Sequence, residues 1–231
     1  MTRIVTVFNQ KGGSAKTMTT MQLAGTCALR GHKTLVIDMD SQGTSTIWSA
    51  IQRNPELRLP DFPADVRSMA PLGRAMVGPV GKLAPDYDLI VIDTPPATES
   101  EAPWAALQIS DLGIIPFIPT ADNQWARQAQ TLAARAAAQN PDIRAVLHLP
   151  SCVRRGNVIE TVLEQYKSDP KVAMMKTTIF QRNAYLEAQF VGLCVRQVSR
   201  SSAAAKEMEQ LADEVLDLLD MPRTMQKDQK K

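Results

Sequence analysis

The stretch Phe8–Thr20, FNQKGGSAKTMTT, packs two lysines, two glycines and a run of hydroxyls into one short segment. These are the materials of an anion site. Glycines let a backbone close around phosphate oxygens, and a lysine supplies the cation. The usual phosphate-loop spacing, G-x-x-x-x-G-K-[ST], fails twice here: Gln10 and Ala15 stand where glycines belong. Lys16 is still placed to reach the β- and γ-phosphates of a nucleotide, and Thr17 to offer a hydroxyl to Mg²⁺. Two further clusters carry carboxylates. Asp38 and Asp40 end the run TLVIDMD, and Asp93 ends LIVID inside YDLIVIDTPP. Asp93 follows four apolar residues, the placement of a carboxylate that holds a metal's water shell.

Such groups meet only if a scaffold gathers them. Arg3–Asn9 reads as a buried strand, and Lys16–Leu29 as a helix that stops at Gly31. Thr34–Asp40, Tyr87–Pro96, Leu112–Pro119, Arg144–Pro150 and Met174–Phe180 read as further strands. Helices are expected over Asp122–Gln139, Val158–Lys167 and Ser202–Leu219, and short elements and loops over the proline-rich Ile51–Pro85. Apolar strands alternating with helices predict an α/β fold: a mostly parallel twisted sheet flanked by helices on both faces, of the P-loop NTPase type. Ligands in such folds bind outside the carboxyl ends of the strands, where all three polar clusters fall. Residues 1–220 are expected to form a single ATPase domain, and residues 221–231 a polar, frayed tail.

Composition narrows the function classes. The 231 residues carry a net charge of only +2, so any nucleic-acid surface must be local. Three cysteines, Cys27, Cys152 and Cys194, share no short spacing, which argues against a zinc site or a disulfide framework and fits a reducing cytoplasm. MTRIVTVF lacks the apolar segment of a signal peptide, and no run approaches the ~20 apolar residues of a membrane span.

KGGSAKT (Lys11–Thr17) resembles the K-G-G-x-x-K-T loop of the deviant Walker-A ATPases of the ParA/MinD family. TLVIDMDSQGTST is similar to that family's D-x-D-x-Q-G switch segment, and YDLIVIDTPP to its Walker-B strand. Arg182, Asn183, Glu187 and Ala188 match the late R-N-x-x-x-x-E-A segment of ParA partition proteins, in a short form with no DNA-binding domain ahead of the loop. The resemblance implies Mg²⁺–ATP as cofactor and a homodimer formed upon ATP binding. Lys11 would reach across that dimer to the partner's phosphates, which explains why Gln10 is harmless. Lys11, Lys16 and Asp40 would be catalytic, with Asp40 orienting the attacking water. Gly12, Gly13, Ser14, Ala15, Lys16, Thr17 and Met18 would cradle the phosphates. Thr17, Asp38 and Asp93 would serve the metal, and Arg154, Asn157 and Asn183 would lie beside the base. Ala15 replaces a glycine and Met18 a common Ser or Thr, so slow turnover is expected.

The same resemblance implies nonspecific double-stranded DNA as a partner, through Arg155, Lys176, Arg182, Arg196, Arg200 and Lys206 together with Arg154. It also implies a small centromere-binding partner protein and a nucleoid-associated role in partition. The alternative is a MinD-like or regulatory nucleotide switch with little ATPase activity. Membrane attachment is disfavoured, because AAAKEMEQLADEVLDLLD is acidic where a membrane helix needs a basic face. Its Met208, Leu211, Val215, Leu218 and Leu219 stripe reads as core packing. Trp48 and Trp125 also read as core residues, and Asp122 and Gln124 would lie near a dimer seam.

Overall fold

The computed structural model of the protein describes residues 1–51, 56, 58–96, 101–119, 124–169 and 172–224, with side chains of the long helix from 130 onward. The expectations for Asp122 and for the side chains of Gln124 and Trp125 therefore fall outside the described residues.

Strand β4 (Leu89–Asp93) explains the architecture. All five of its residues are buried, and alternate side chains point to opposite faces of the sheet. Leu89 and Val91 join one core and Ile90 and Ile92 another, so both faces must be covered. Each such side chain contributes roughly 1.5–3 kcal/mol when fully buried. Around β4 lie β1 (Arg3–Val7), β2 (Thr34–Asp38), β3 (Asp65–Ser68), β5 (Leu112–Phe117) and β6 (Ala145–Pro150). The order is β3-β2-β4-β1-β5-β6, and every pairing is parallel.

One face is covered by α1 (Lys16–Leu29), α2 (Thr44–Ile51), α7 (Asn183–Phe190), α8 (Val195–Val198) and α9 (Ala203–Leu218). The other is covered by α3 (Val77–Leu83), α4 (Ala102–Leu107) and α5 (Gln124–Gln139), while α6 (Asn157–Ser168) packs Tyr166 on Phe117. Arg30, at the end of α1, donates to Glu209 and to Asp213 of α9, the latter at 2.6 Å. Met208, Leu211, Val215 and Leu219 are fully buried, so that stripe is core. Trp48 is 2% exposed and donates from Nε1 to Leu193 O at 3.1 Å, a core role as well. None of the helices among the described residues is long and apolar enough to cross a membrane. Of the expected tail, Arg223 forms ion pairs with Asp213 and Asp217 on α9.

The proline-rich segment holds short elements, as expected of it, among them β3 and α3; β3 reads DVRS and has no buried residue. One stretch differs from the sequence expectations: Met174–Phe180 is no regular strand. It runs beside β6 and forms only isolated bridges, His148 with Met174 and Val153 with Phe180. The cause is a side chain. Glu214 of α9 accepts from Lys176 N at 2.7 Å, Thr177 N at 2.9 Å and Thr177 Oγ1 at 2.7 Å. These amides therefore face a carboxylate rather than a neighbouring strand.

Glu214→Ala leaves those donors without an acceptor, and Thr177 is buried. The expected loss is about 1–3 kcal/mol, read as a lower urea midpoint with an unchanged slope.

Candidate functional site

Strand register builds the site. Val7 of β1 lies opposite Asp93 of β4, and Asp93 lies opposite Asp38 of β2. Two buried carboxylates and the start of the glycine loop thus share one level at the carboxyl edge. Thr94 Oγ1 donates to Val7 O at 3.0 Å, and Asn9 Nδ2 to Pro116 O at 2.7 Å, which ties the loop's root to the strands on either side. Asn9 Oδ1 then accepts from Lys11 N at 3.0 Å.

The loop turns through left-handed backbone at Gly13 (φ 70°) and Ala15 (φ 68°). For glycine this conformation is free; for alanine it is strained by about 1 kcal/mol. A Cβ on Gly12 or Gly13 would meet nothing within 4 Å. Those glycines therefore leave an open cradle above the N-terminus of α1, where free N–H groups and the helix dipole favour an anion. Lys16 is 7% exposed, and its Nζ donates to Lys11 O at 3.2 Å. Burial lowers its pKa, against the opposing charges of Asp93 and Asp40. Lys11 is exposed at the rim.

Asp93 is fully buried, and desolvation pushes its carboxyl up to about 7, opposed by hydroxyl donors from Ser45 and Thr17. The Ser45 bond is 2.8 Å. Asp38 differs from the expectation that it serves the metal. Its Oδ2 accepts from Thr46 N and Thr46 Oγ1, both at 2.9 Å, and its Oδ1 from Asp40 N at 3.1 Å. Asp38 therefore stands behind the site, capping α2 and shaping the turn that carries Asp40. Asp40 lines the pocket, with its Oδ1 accepting from Gln42 N at 2.9 Å.

The loop and Asp40 enclose a pocket of about 260 Å³, completed by Trp48 and Gln189. Gly13, Ala15, Met18 and Gln189 also border a more apolar cavity of about 760 Å³. Arg154 and Asn183 line that second cavity, while Asn157, exposed at the start of α6, is not among its walls. The donor set suits a polyphosphate and a hard cation: one buried ammonium, a ring of hydroxyls, and carboxylates at a dry strand end. Sequence reasoning missed Ser45, Thr46 and Gln189. The hydroxyl run after Gln42–Gly43 was the available signal for the first two.

The expected DNA residues separate into two groups. Arg182 is committed to Glu207, with Nε at 2.8 Å and a second bond at 2.5 Å. Arg196 is committed to Glu209 at 2.5 Å and Thr26 O at 3.2 Å. Both are corrections, because internal carboxylates already use these cations. Lys176 is exposed but borders a groove with Asp213, Glu214 and Asp217. Arg155, Arg200 and Lys206 are exposed, and Arg155 lies 5.7 Å from the Phe180 ring.

A glycine-lined pocket at a helix N-terminus, beside strand-end carboxylates of a parallel sheet, defines a P-loop nucleotide-binding protein. More narrowly, the chain belongs to the CobQ/CobB/MinD/ParA nucleotide binding domain family, which matches residues 5–225. It is 26% identical over 219 residues to the maintenance of carboxysome distribution protein A of Halothiobacillus neapolitanus, covering 91% of this chain and 94% of that one. It is 26% identical over 242 residues to the chromosome-partitioning ATPase Soj of Thermus thermophilus, covering 93% and 95%. Its fold matches the cobyrinic acid a,c-diamide synthase of Mycobacterium smegmatis with bound ATP analog and magnesium. That likeness has a TM-score of 0.75 at 21% identity, covering 99% of this chain and 100% of that one.

Two outcomes follow from the site's geometry. Ala15→Gly relieves the left-handed strain and should raise stability by about 0.5–1 kcal/mol in urea titration. For Asp93 the folded pKa, about 7, lies above its ordinary 3.8, so between those values the native state holds the extra proton. Its contribution is thus fully present at acid pH and is lost as pH rises through 7. Unfolding midpoints at pH 5 and pH 8 should differ less in Asp93→Asn than in the parent chain.

Proposed function

We propose that the protein is an ATPase that positions a large cargo by cycling on DNA. The observation that supports this most directly is the placement of Lys16, Thr17 and Asp40 around one pocket, with Asp93 buried beside Thr17 and Lys11 exposed next to the loop glycines. Thr17 and Asp93 would hold magnesium, which would supply neutralisation of phosphate charge. Lys16 binds the β- and γ-phosphates, and loop N–H groups hold the same oxygens. Asp40 orients water for attack. Lys11 completes the charge of a second copy's site, so hydrolysis requires a homodimer closed over two nucleotides. Strain at Ala15 and the missing hydroxyl at Met18 make turnover slow; a lost hydrogen bond alone is worth about 0.5–1.5 kcal/mol.

The loaded dimer binds double-stranded DNA without sequence preference through Arg155, Arg200 and Lys206, which remain at the surface, supported by Arg154. A small partner protein, seated at a centromere-like DNA site, stimulates turnover and release. The relatives' names divide over cargo, one a carboxysome distribution protein and one a chromosome-partitioning ATPase. Partition of a DNA cargo is the reading favoured by the late R-N-x-x-x-x-E-A segment at Arg182–Ala188.

Titration with Mg²⁺–ATP followed by phosphate release, with and without random duplex DNA, tests the proposal. Lys16→Ala should weaken nucleotide binding about 100-fold. Asp40→Ala should retain binding and slow phosphate release by about 100-fold or more. Lys11→Ala should bind ATP as a monomer. Absence of Mg²⁺–ATP binding by the parent chain at millimolar ligand would sink the proposal. DNA binding indifferent to salt, or absent with ATP, would remove its second half.

A further inference from the structure

Glu207 is a charged side chain that the nucleotide chemistry leaves unused, and it is 6% exposed on α9. Four donors converge on it. Arg182 donates to Oε1 from Nε at 2.8 Å and from its terminal nitrogen at 2.5 Å. Tyr185 Oη donates to Oε2 at 2.8 Å, and Phe180 N to the same oxygen at 3.3 Å. The residues that supply these donors, Phe180, Arg182 and Tyr185, all line the apolar cavity of about 760 Å³ that continues from the phosphate loop. Two guanidinium groups also flank the Phe180 ring, those of Arg155 and Arg182, each at 5.7 Å.

A carboxylate in a dry interior is costly unless fully hydrogen-bonded, and here it is. The same bonds fix the backbone at Phe180, the guanidinium of Arg182 and the phenol of Tyr185. Three parts of one cavity wall thus hang from a single carboxylate on another helix. The phosphate loop supplies none of these donors; its own anchors are Asn9, Asp93 and Lys16.

The geometry points to Glu207 as the positioning residue for the non-phosphate half of the nucleotide. This rests on the nucleotide reading above and deepens it. Glu207 touches no ligand; it presets the wall against which a planar base is held, so the base need not order that wall on binding. Removing its charge releases Arg182 and Tyr185 and loosens the wall, while the phosphate cradle stays as it is.

The test compares two ligands on the full chain, Mg²⁺–ATP and Mg²⁺–tripolyphosphate, which lacks base and sugar. Binding is measured by calorimetry, with thermal unfolding recorded alongside. Glu207→Gln should weaken ATP about tenfold and leave tripolyphosphate within about twofold of the parent chain. Tyr185→Phe keeps the ring and removes one donor, so it should shift ATP alone, by about threefold, and it decides the matter if the glutamine variant does not fold. Equal losses for both ligands, or unchanged ATP affinity in a folded variant, would overturn the positioning role. A parent chain that binds neither ligand would instead overturn the nucleotide reading itself.

Discussion

A carboxylate at the end of a fully buried strand is the constraint around which the rest is arranged. Asp93 cannot stand alone in so dry a place, and its elevated pKa records that tension. The surroundings answer it from three directions: Ser45 from α2, Thr17 from the first turn of α1, and the charge of the Lys16 ammonium. Each answer requires a piece of fold. α1 must start where β1 ends, and α2 must start where β2 ends. β4 must lie between β1 and β2 so that Val7, Asp93 and Asp38 share one level. The sheet order and the site are thus one requirement seen at two scales.

Much of this is legible in the sequence itself. The apolar runs gave five of the six strands, because strands buried on both faces leave a strong signal. They also gave α1, α6 and α9 to within a residue or two. β3 was invisible because an edge strand of Asp, Val, Arg and Ser buries too little to leave a pattern. Met174–Phe180 misled for the opposite reason: its composition suits a strand, but Glu214, far along the chain, claims the amides.

The site was legible in its chemistry and less so in its division of labour. Lys16, Thr17 and Asp93 converge as their spacing suggests. Asp38 does not join them, since no sequence rule shows that Thr46 and the amide of Asp40 will occupy both its oxygens. Arg182 and Arg196 looked like surface cations for the same reason. Their partners Glu207 and Glu209 lie on α9, and the spacing between them says nothing about contact. Long-range pairings of charge are what a single sequence hides best, because a lysine or arginine reads alike whether free or spoken for.

The Glu214 tether has one more effect. A sheet that ends in a regular strand offers a row of unpaired N–H and C=O groups, on which a foreign or misfolded chain can grow. Beside β6 that row is broken: the flanking segment touches it only at its two ends, and in between Lys176 and Thr177 turn their amides toward α9. The border is left without the continuous template that cross-β aggregation needs. A carboxylate that first looks like a detail of helix packing thus also shapes the border of the sheet.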